Sequence, residues 1–187
     1  MTLRLVAGDL SLAALDSLEV DSAAALVGPE RPLTGLAGLL DWRLCGALSR
    51  AILDGTFAPE KGEVLLLPSR GRLPMPRVFC FGLPAEPEPA EALAGRVLKV
   101  LARAGARSVA LSLPGGAAFS PLARALVRAG AEEGLACEVL LGDGRAIARE
   151  LEGVLRELRV DAALEAPAPR GEPRPAASLP LKGPVVR

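Results

Sequence analysis

The sequence Pro114-Gly115-Gly116 is the first place where residue types suggest a ligand. It follows an apolar run and precedes Ser120 and Pro121, a good N-cap and first-turn pair for a helix. Backbone amides of a glycine loop and the amino end of a helix bind anions such as phosphate. Gly115 and Gly116 are therefore candidate anion-binding residues, weighed against the more common role of a diglycine as a tight turn.

Two other glycine positions invite the same comparison. Gly82 ends the apolar run Val78 to Phe81 and is a third anion-loop candidate. Asp143 stands between two glycines before a helical pattern, where we expect it to cap the helix rather than bind a ligand. No cofactor is expected at any of these positions.

Arginine could supply a phosphate or DNA site at Arg70, Arg72 and Arg77, which the pattern places in one turn. The chain has 22 basic and 22 acidic residues, with a formal net charge of zero. Affinity for nucleic acid depends on a net or local positive charge. A solvated loop is the preferred interpretation, and we do not expect nucleic-acid binding.

Catalytic and metal-binding patterns are scarce. The chain has no histidine, which excludes histidine-based triads and histidine-ligated zinc. The acid pairs Glu132-Glu133 and Glu150-Glu152 fall on predicted helix surfaces and do not form a paired-carboxylate site. The cysteines have no Cys-x-x-Cys spacing, so we interpret them as reduced core thiols; they are Cys45, Cys80 and Cys137. We predict no catalytic residue and no metal.

Trp42 is the one tryptophan of the chain. At about 100° per residue it points away from Leu44 and Ala51, so it faces away from the sheet if the leucines face toward it. Exposed tryptophans often anchor protein partners. The alternative, of equal weight, is that Trp42 packs beneath the N-terminal segment or the C-terminal tail.

The elements that must position these residues follow from hydrophobic periodicity. Apolar runs predict strands, and spacing of three and four predicts helices. One helix is predicted from Leu36 to Leu53, ended by Asp54 and Gly55. Strands are predicted at 3–7, 23–27, 64–67, 78–81, 109–113, 137–141 and 161–164, and further helices at 93–105, 120–130 and 147–158.

The regular alternation of helix and strand after Gly82 predicts a largely parallel sheet with helices on both faces. The runs at 64–67 and 78–81 are interpreted as consecutive core strands. Residues 1 to 30 carry a net charge of minus four and residues 31 to 80 a net charge of plus three, so these two parts are expected to face each other.

The segment from Arg31 to Pro84 resembles a known family. Pro32-Leu33-Thr34-Gly35-Leu36, then Lys61-Gly62-Glu63, then Phe81-Gly82-Leu83 follow the order and spacing of the N-terminal domain of leucyl aminopeptidases, also called cytosol aminopeptidases. The resemblance extends over residues 3 to 165. It implies a three-layer α/β/α, macrodomain-like sandwich with a mostly parallel mixed sheet.

The resemblance also bears on activity. The Asn-Thr-Asp-x-Glu-Gly-Arg-Leu stretch that characterises the family's catalytic domain has no counterpart here. We therefore expect a stand-alone, non-catalytic binding or regulatory module that mediates protein association. The alternatives are a macrodomain-like binder or hydrolase of an ADP-ribose-type ligand and, third, a DNA-binding regulator.

The domain is predicted to cover residues 1–165, followed by a flexible tail at 166–187. That tail has six prolines and a net charge of plus three, a composition typical of extended chain. We expect a cytoplasmic protein that does not enter a membrane. Association with a protein partner or a second copy is expected to depend on the tail and on Trp42, and a small-molecule ligand remains an alternative.

Overall fold

The sheet has one antiparallel edge and is otherwise parallel. A computed structural model describes residues 3–112 and 119–166. The strand order is β3-β4-β2-β5-β6-β1-β7. The β3–β4 pair is antiparallel, and every other neighbouring pair of described strands is parallel. The strands are β1 (Leu3–Asp9), β2 (Ser22–Val27), β3 (Val64–Pro68), β4 (Arg77–Gly82), β5 (Ser108–Ser112), β6 (Cys137–Gly142) and β7 (Ala162–Glu165). The predicted mixed, mostly parallel sheet is confirmed.

Helices cover both faces of this sheet. One set packs on the face that carries Leu5 and Leu140, and the other on the face that carries Val139 and Leu141. The first set is α4 (Ala90–Arg103), α5 (Phe119–Glu132) and α6 (Gly144–Leu158); the second is α1 (Leu12–Asp16), α2 (Gly35–Arg43) and α3 (Ala47–Leu53). The predicted three-layer α/β/α sandwich is confirmed.

Alternating side chains explain why both faces need covering. Along β6, Leu140 is buried beneath one helical layer while its neighbours Val139 and Leu141 are buried beneath the other. Each fully buried aliphatic side chain contributes about 1.5–3 kcal/mol relative to exposure. A strand that is apolar on both faces therefore belongs in the middle of the sheet, between two layers.

The prediction of one helix from Leu36 to Leu53 is wrong. The chain leaves α2 after Arg43, and Cys45 and Gly46 take left-handed φ angles of 55° and 76° before α3 begins. Two consecutive residues of that kind cannot continue a right-handed helix. The leucine pattern did not indicate the break, because Leu40 and Leu48 lie on opposite sides of the break and pack into the same core.

The interpretation of 64–67 as a core strand is also wrong. β3 lies at the edge of the sheet, and its residues alternate between exposed and half-buried. Leu65 and Leu67 pack against the α2–α3 side, whereas Val64 and Leu66 are 40% and 52% exposed. A short 3₁₀ turn, Pro59–Lys61, precedes this strand.

The acidic start of the chain does contact the basic middle, as predicted. Asp16 forms an ion pair with Arg43, and an oxygen of Asp21 lies 2.9 Å from Nη2 of Arg77. No helix in the described ranges is long and apolar enough to cross a bilayer. The predicted anion loop at Gly115 and Gly116 and the predicted tail lie outside those ranges, apart from Ala166.

Candidate binding sites at Trp42 and at the strand ends

Trp42 projects from α2 into solvent. Its side chain is 63% exposed, which confirms the prediction that it faces away from the sheet. The guanidinium of Arg43 lies over the indole, 5.0 Å from the ring centroid, and the same guanidinium is paired with Asp16. A cation held over the face of a tryptophan limits the rotation of both side chains. The indole is therefore exposed but oriented.

Asp41 organises the break beside Trp42. Its carboxylate accepts hydrogen bonds from the backbone N–H groups of Leu48 at 2.9 Å and Ser49 at 3.0 Å, and from the Ser49 hydroxyl at 2.5 Å. These amides belong to the first turn of α3, where no intrahelical partner exists. Because Asp41 sits on α2, a single side chain fixes the angle between the two short helices.

A groove forms where α2 ends. We call it the Trp42 groove; its volume is about 740 Å³. Nη1 of Arg72 reaches across to the thiol of Cys45, with 2.6 Å between the nitrogen and Sγ. Asp41 is already engaged with α3, so the groove presents an aromatic ring with two arginines. It is lined by Pro32, Leu33, Gly38, Asp41, Trp42, Arg43, Cys45, Gly46, Ser49 and Arg72.

A second concavity lies at the carboxyl ends of the parallel strands, where ligands of α/β proteins usually bind. We call it the strand-end cleft; its volume is about 510 Å³. The last residue of β5 and residues that follow β1, β2 and β4 meet here with the beginnings of α2, α4 and α5. It is lined by Leu10, Leu26, Gly28, Glu30, Thr34, Gly35, Leu36, Leu83, Glu88, Ala90, Leu93, Ser112, Pro121 and Leu122.

The charge of the strand-end cleft is acidic. Among its described lining residues, Glu30 and Glu88 carry charge and there is no lysine or arginine. Glu88 pairs with Arg96, which also donates to the carbonyls of Gly62 and Gly82. The amino ends of α2 and α4 border the cleft and favour negative charge. The described part therefore lacks a cationic side chain for phosphate.

Gly82 has a packing role. Its N–H donates to the carbonyl of Glu63 at 2.8 Å, and a β-carbon at this position would overlap the backbone of Pro59. This amide is not available to an anion in the cleft, so the structure does not support Gly82 as a donor. Gly115 and Gly116 lie outside the described residues, and their anion binding stays a prediction.

The structure also places the other residues singled out in the sequence: Asp143, Arg77 and Ser120. Asp143 caps α6 through the N–H groups of Arg145 and Ala146, as predicted. Arg77 does not belong to the turn of Arg70 and Arg72, because it begins β4 and bonds to Asp21 and to the Ala104 carbonyl. Ser120 falls inside α5, which begins at Phe119, rather than before it.

The expected surface positions of the two acid pairs agree with the structure: Glu132, Glu133 and Glu152 are exposed and Glu150 is half-buried.

The interpretation of all three cysteines as core thiols is wrong for Cys45, which is exposed at the helix break. Cys80 and Cys137 are buried, and burial raises the pKa of the Cys80 thiol to about 12. The three described cysteines carry free thiols. Nowhere in residues 3–112 or 119–166 do three metal-ligating side chains cluster.

Glu138 is a buried acidic residue that no sequence motif indicated. This carboxyl lies in β6, is fully buried, and has no hydrogen-bond partner on either oxygen within the described part of the chain. It packs against α5, where a β-carbon at Gly130 would overlap Oε1. Burial raises the pKa of Glu138 to about 8. The signal was a single acidic residue inside the run Cys137–Gly142.

Comparison with solved structures defines the class of fold. A mutant macrodomain of Oceanobacillus iheyensis matches with a TM-score of 0.59 and 16% identity, over 84% of this chain and 92% of that one. A Trypanosoma brucei macrodomain in complex with ADP matches with a TM-score of 0.59 and 17% identity, over 82% of this chain and 69% of that one. The fold is macrodomain-like.

The family follows from the sequence itself. The model of the cytosol aminopeptidase family, N-terminal domain, matches residues 26–135, and the chain belongs to this family. A mutant tomato leucine aminopeptidase is similar at 19% identity and a TM-score of 0.55, over 82% of this chain. The matched region is 35% of the tomato chain. No curated protein matches the sequence.

Proposed function

We propose that these residues form a non-catalytic binding domain whose contact surface is the Trp42 groove. The observation that carries the proposal is the indole of Trp42, 63% exposed and oriented by Arg43 at the rim of a groove. Tryptophan and arginine are the side chains that contribute most often to the energetic centre of protein interfaces. The groove combines both types.

The shape of the site favours a protein over a small ligand. The Trp42 groove lies between the end of α2, the beginning of α3 and the loop that carries Arg72, and it is open to solvent at Trp42, which is 63% exposed. Because Arg43 already pairs with Asp16, Arg72 is the cationic group that favours a partner segment with a carboxylate beside an apolar side chain. Such a segment would cover the indole and pair with the guanidinium of Arg72.

Hydrolysis of peptides by these 187 residues is not part of the proposal. The family match is to the N-terminal domain, and the Asn-Thr-Asp-x-Glu-Gly-Arg-Leu stretch is missing from the sequence. Peptide hydrolysis of the family type requires oxygen ligands around metal ions. The proposed role of this domain is to bind a protein partner.

The test compares two exposed apolar side chains. Trp42→Ala should lose the partners that the full chain captures from its host, because it removes the centre of the surface. Leu53→Ala is the matched control, since Leu53 is 86% exposed at the end of α3 but does not line the groove. Retention of the same partners by Trp42→Ala would contradict the proposal.

A second candidate function is ligand binding in the strand-end cleft. Its position at the carboxyl ends of β2, β4 and β5 and its volume favour this role. The similar Trypanosoma brucei macrodomain was solved in complex with ADP. For this chain the described lining residues include no lysine or arginine that could pair with a diphosphate, so we rank the cleft below the Trp42 groove.

Calorimetric titration with ADP-ribose separates the two candidates. Micromolar binding that Gly115→Glu abolishes would favour the cleft, because residue 115 lies in the segment that joins two lining elements, β5 and α5. Gly153→Glu is the matched control, an identical change at an open position on α6. Absence of heat with the wild-type chain would contradict ADP-ribose binding in the strand-end cleft.

A further inference from the structure

The outer edge of β3 offers unpaired backbone groups. In the antiparallel pair with β4, the Glu63 carbonyl accepts from Gly82 and the Ser69 N–H donates to Pro76, so odd-numbered residues face β4. Val64 and Leu66 therefore direct their N–H and C=O groups away from the sheet, and within the described residues these groups have no backbone partner. Such an edge can accept another strand.

The side chains on this edge are also uncovered. Val64 and Leu66 are opposite Phe81 and Phe79 of β4 and so lie on the same face of the sheet. The two phenylalanines are buried, whereas Val64 and Leu66 are 40% and 52% exposed. An added strand would continue this apolar face and cover both side chains.

The charges that flank β3 are asymmetric. Glu60 and Glu63 precede the strand with Lys61 between them, and Arg70 and Arg72 follow it. Glu60 and Arg70 are both exposed. Two parallel copies would place like charges together, but two antiparallel copies place the acidic start of each strand beside the basic end of the other. The edge is therefore complementary to itself.

We propose that β3 pairs antiparallel with β3 of a second copy, about a two-fold axis near Leu66. This pairing goes beyond the proposed role of the Trp42 groove, because it uses a separate surface and a second copy of the chain as the partner. Val64 and Leu66 of each copy would supply the new backbone hydrogen bonds, and the two seven-stranded sheets would become continuous. Pro68 lacks an N–H, so it contributes only its carbonyl to the outer edge.

The test uses charge reversal on full-length protein. Arg70→Glu leaves the end of the edge without net charge, because Arg72 remains, and Glu60→Arg makes both ends basic. Each variant alone should dimerise more weakly than the wild type, and Glu60→Arg at least about tenfold more weakly, because attraction between the ends is lost in the first and becomes repulsion in the second. An equimolar mixture of the two should dimerise more strongly than either variant alone, since the heterodimer regains the attraction between one acidic start and one basic end.

Two further variants separate charge from fold. Glu133→Arg, the same change at an exposed site beyond α5, should leave the dimer unchanged. Leu66→Lys should give a folded monomer, because the side chain is half exposed in the single chain and covered in the pair. Sedimentation equilibrium over a dilution series measures all of these masses, and circular dichroism checks folding.

A monomeric wild-type chain at every concentration overturns the edge pairing, as does a mixture of the two charge variants that fails to dimerise. Neither result would contradict the proposed binding role of the Trp42 groove, because Glu60, Leu66 and Arg70 do not line it. Conversely, if β3 dimerises and Trp42→Ala still captures the same partners, the proposed role of the Trp42 groove is wrong and the β3 pairing is supported.

Discussion

Glu138 is the residue whose environment most directly sets a pH dependence. Its carboxyl is fully buried in β6 without a partner in the described part of the chain, and burial raises the pKa to about 8. In the unfolded chain the same group titrates near 4.5. Between these two values the folded state must hold a proton that the unfolded state has released, so stability falls as pH rises through this window.

Glu138→Gln should flatten that dependence. Between about pH 5 and pH 8 the wild-type chain should lose about 2–4 kcal/mol of unfolding free energy that the variant does not lose. Urea denaturation across this pH range measures the difference. Glu133→Gln, a change in an exposed carboxyl, is the control and should follow the wild type. Parallel curves for wild type and Glu138→Gln would show that the buried carboxyl does not titrate as described.

Asp21 joins three segments through one carboxylate. It accepts from the Ser22 hydroxyl, from the N–H groups of Arg107 and Ser108, and from Arg77. Burial alone would raise the pKa of Asp21, but these hydrogen bonds and the charge of Arg77 outweigh it and lower the pKa. The carboxylate therefore stabilises the fold when it is ionised.

Asp21→Ala should lower the free energy of unfolding by about 2–3 kcal/mol, because several donors lose their acceptor at once. Denaturant titration at neutral pH measures the loss. Glu19→Ala removes a neighbouring exposed carboxylate and should cost less than about 0.5 kcal/mol. Equal stability of the two variants would mean that the Asp21 contacts contribute little.

At the scale of elements, the break between α2 and α3 is the feature that builds the Trp42 groove. A single helix from Leu36 to Leu53 would carry Trp42 on a continuous cylinder, without the corner formed at Cys45 and Gly46. Asp41 holds that corner by capping α3. The helix break, rather than the tryptophan alone, makes the surface concave.

Asp41→Ala should destabilise the chain by about 1–2 kcal/mol, the usual cost of losing a helix cap. Ser49→Ala removes only the hydroxyl contact to Asp41 and should cost less. Thermal and urea denaturation give the order of the two variants. The cap assignment is wrong if Ser49→Ala is as damaging as Asp41→Ala.

Hydrophobic periodicity predicted most elements because the strands and helices of the second half alternate cleanly. α6 and β6 lie where their apolar residues indicated, since each packs against a continuous core. The break at Gly46 could not be predicted, because apolar residues on both sides of it face the same layer. The edge position of β3 was missed for a related reason: four apolar residues in a row resemble a central strand until the pairing order is known.

The candidate site was predicted only in part. The orientation of Trp42 away from the sheet followed from helical geometry, but its exposure did not. The groove beside it depends on Arg72, which reaches Cys45 from a loop 27 residues away. Glu88 and Arg96 meet at the rim of the cleft through tertiary packing. Contacts of this kind form between residues that are distant in sequence, so hydrophobic periodicity along one sequence does not predict them.

At the scale of the whole molecule, the proposed domain boundary near Glu165 predicts where proteases act. Six prolines after this residue favour an extended segment, and Arg170 and Lys182, each followed by glycine, are trypsin sites within it, whereas Pro175 protects the bond after Arg174. Limited trypsin digestion should cleave after Arg170 and Lys182 before any site between Leu93 and Leu158. Early cleavage inside that range, with the bonds after Arg170 and Lys182 intact, would contradict the boundary.

Acrylamide quenching of tryptophan fluorescence measures whether a bound partner covers the Trp42 groove. Trp42 is the one tryptophan of the chain, so its emission reports that surface alone. In the dilute full-length protein we predict strong quenching, because the indole is 63% exposed. In the complex isolated from the host, measured as the difference after subtracting the partner's own emission, quenching should fall severalfold. Equal quenching of Trp42 in the free chain and in the complex would show that partners do not bind at the Trp42 groove.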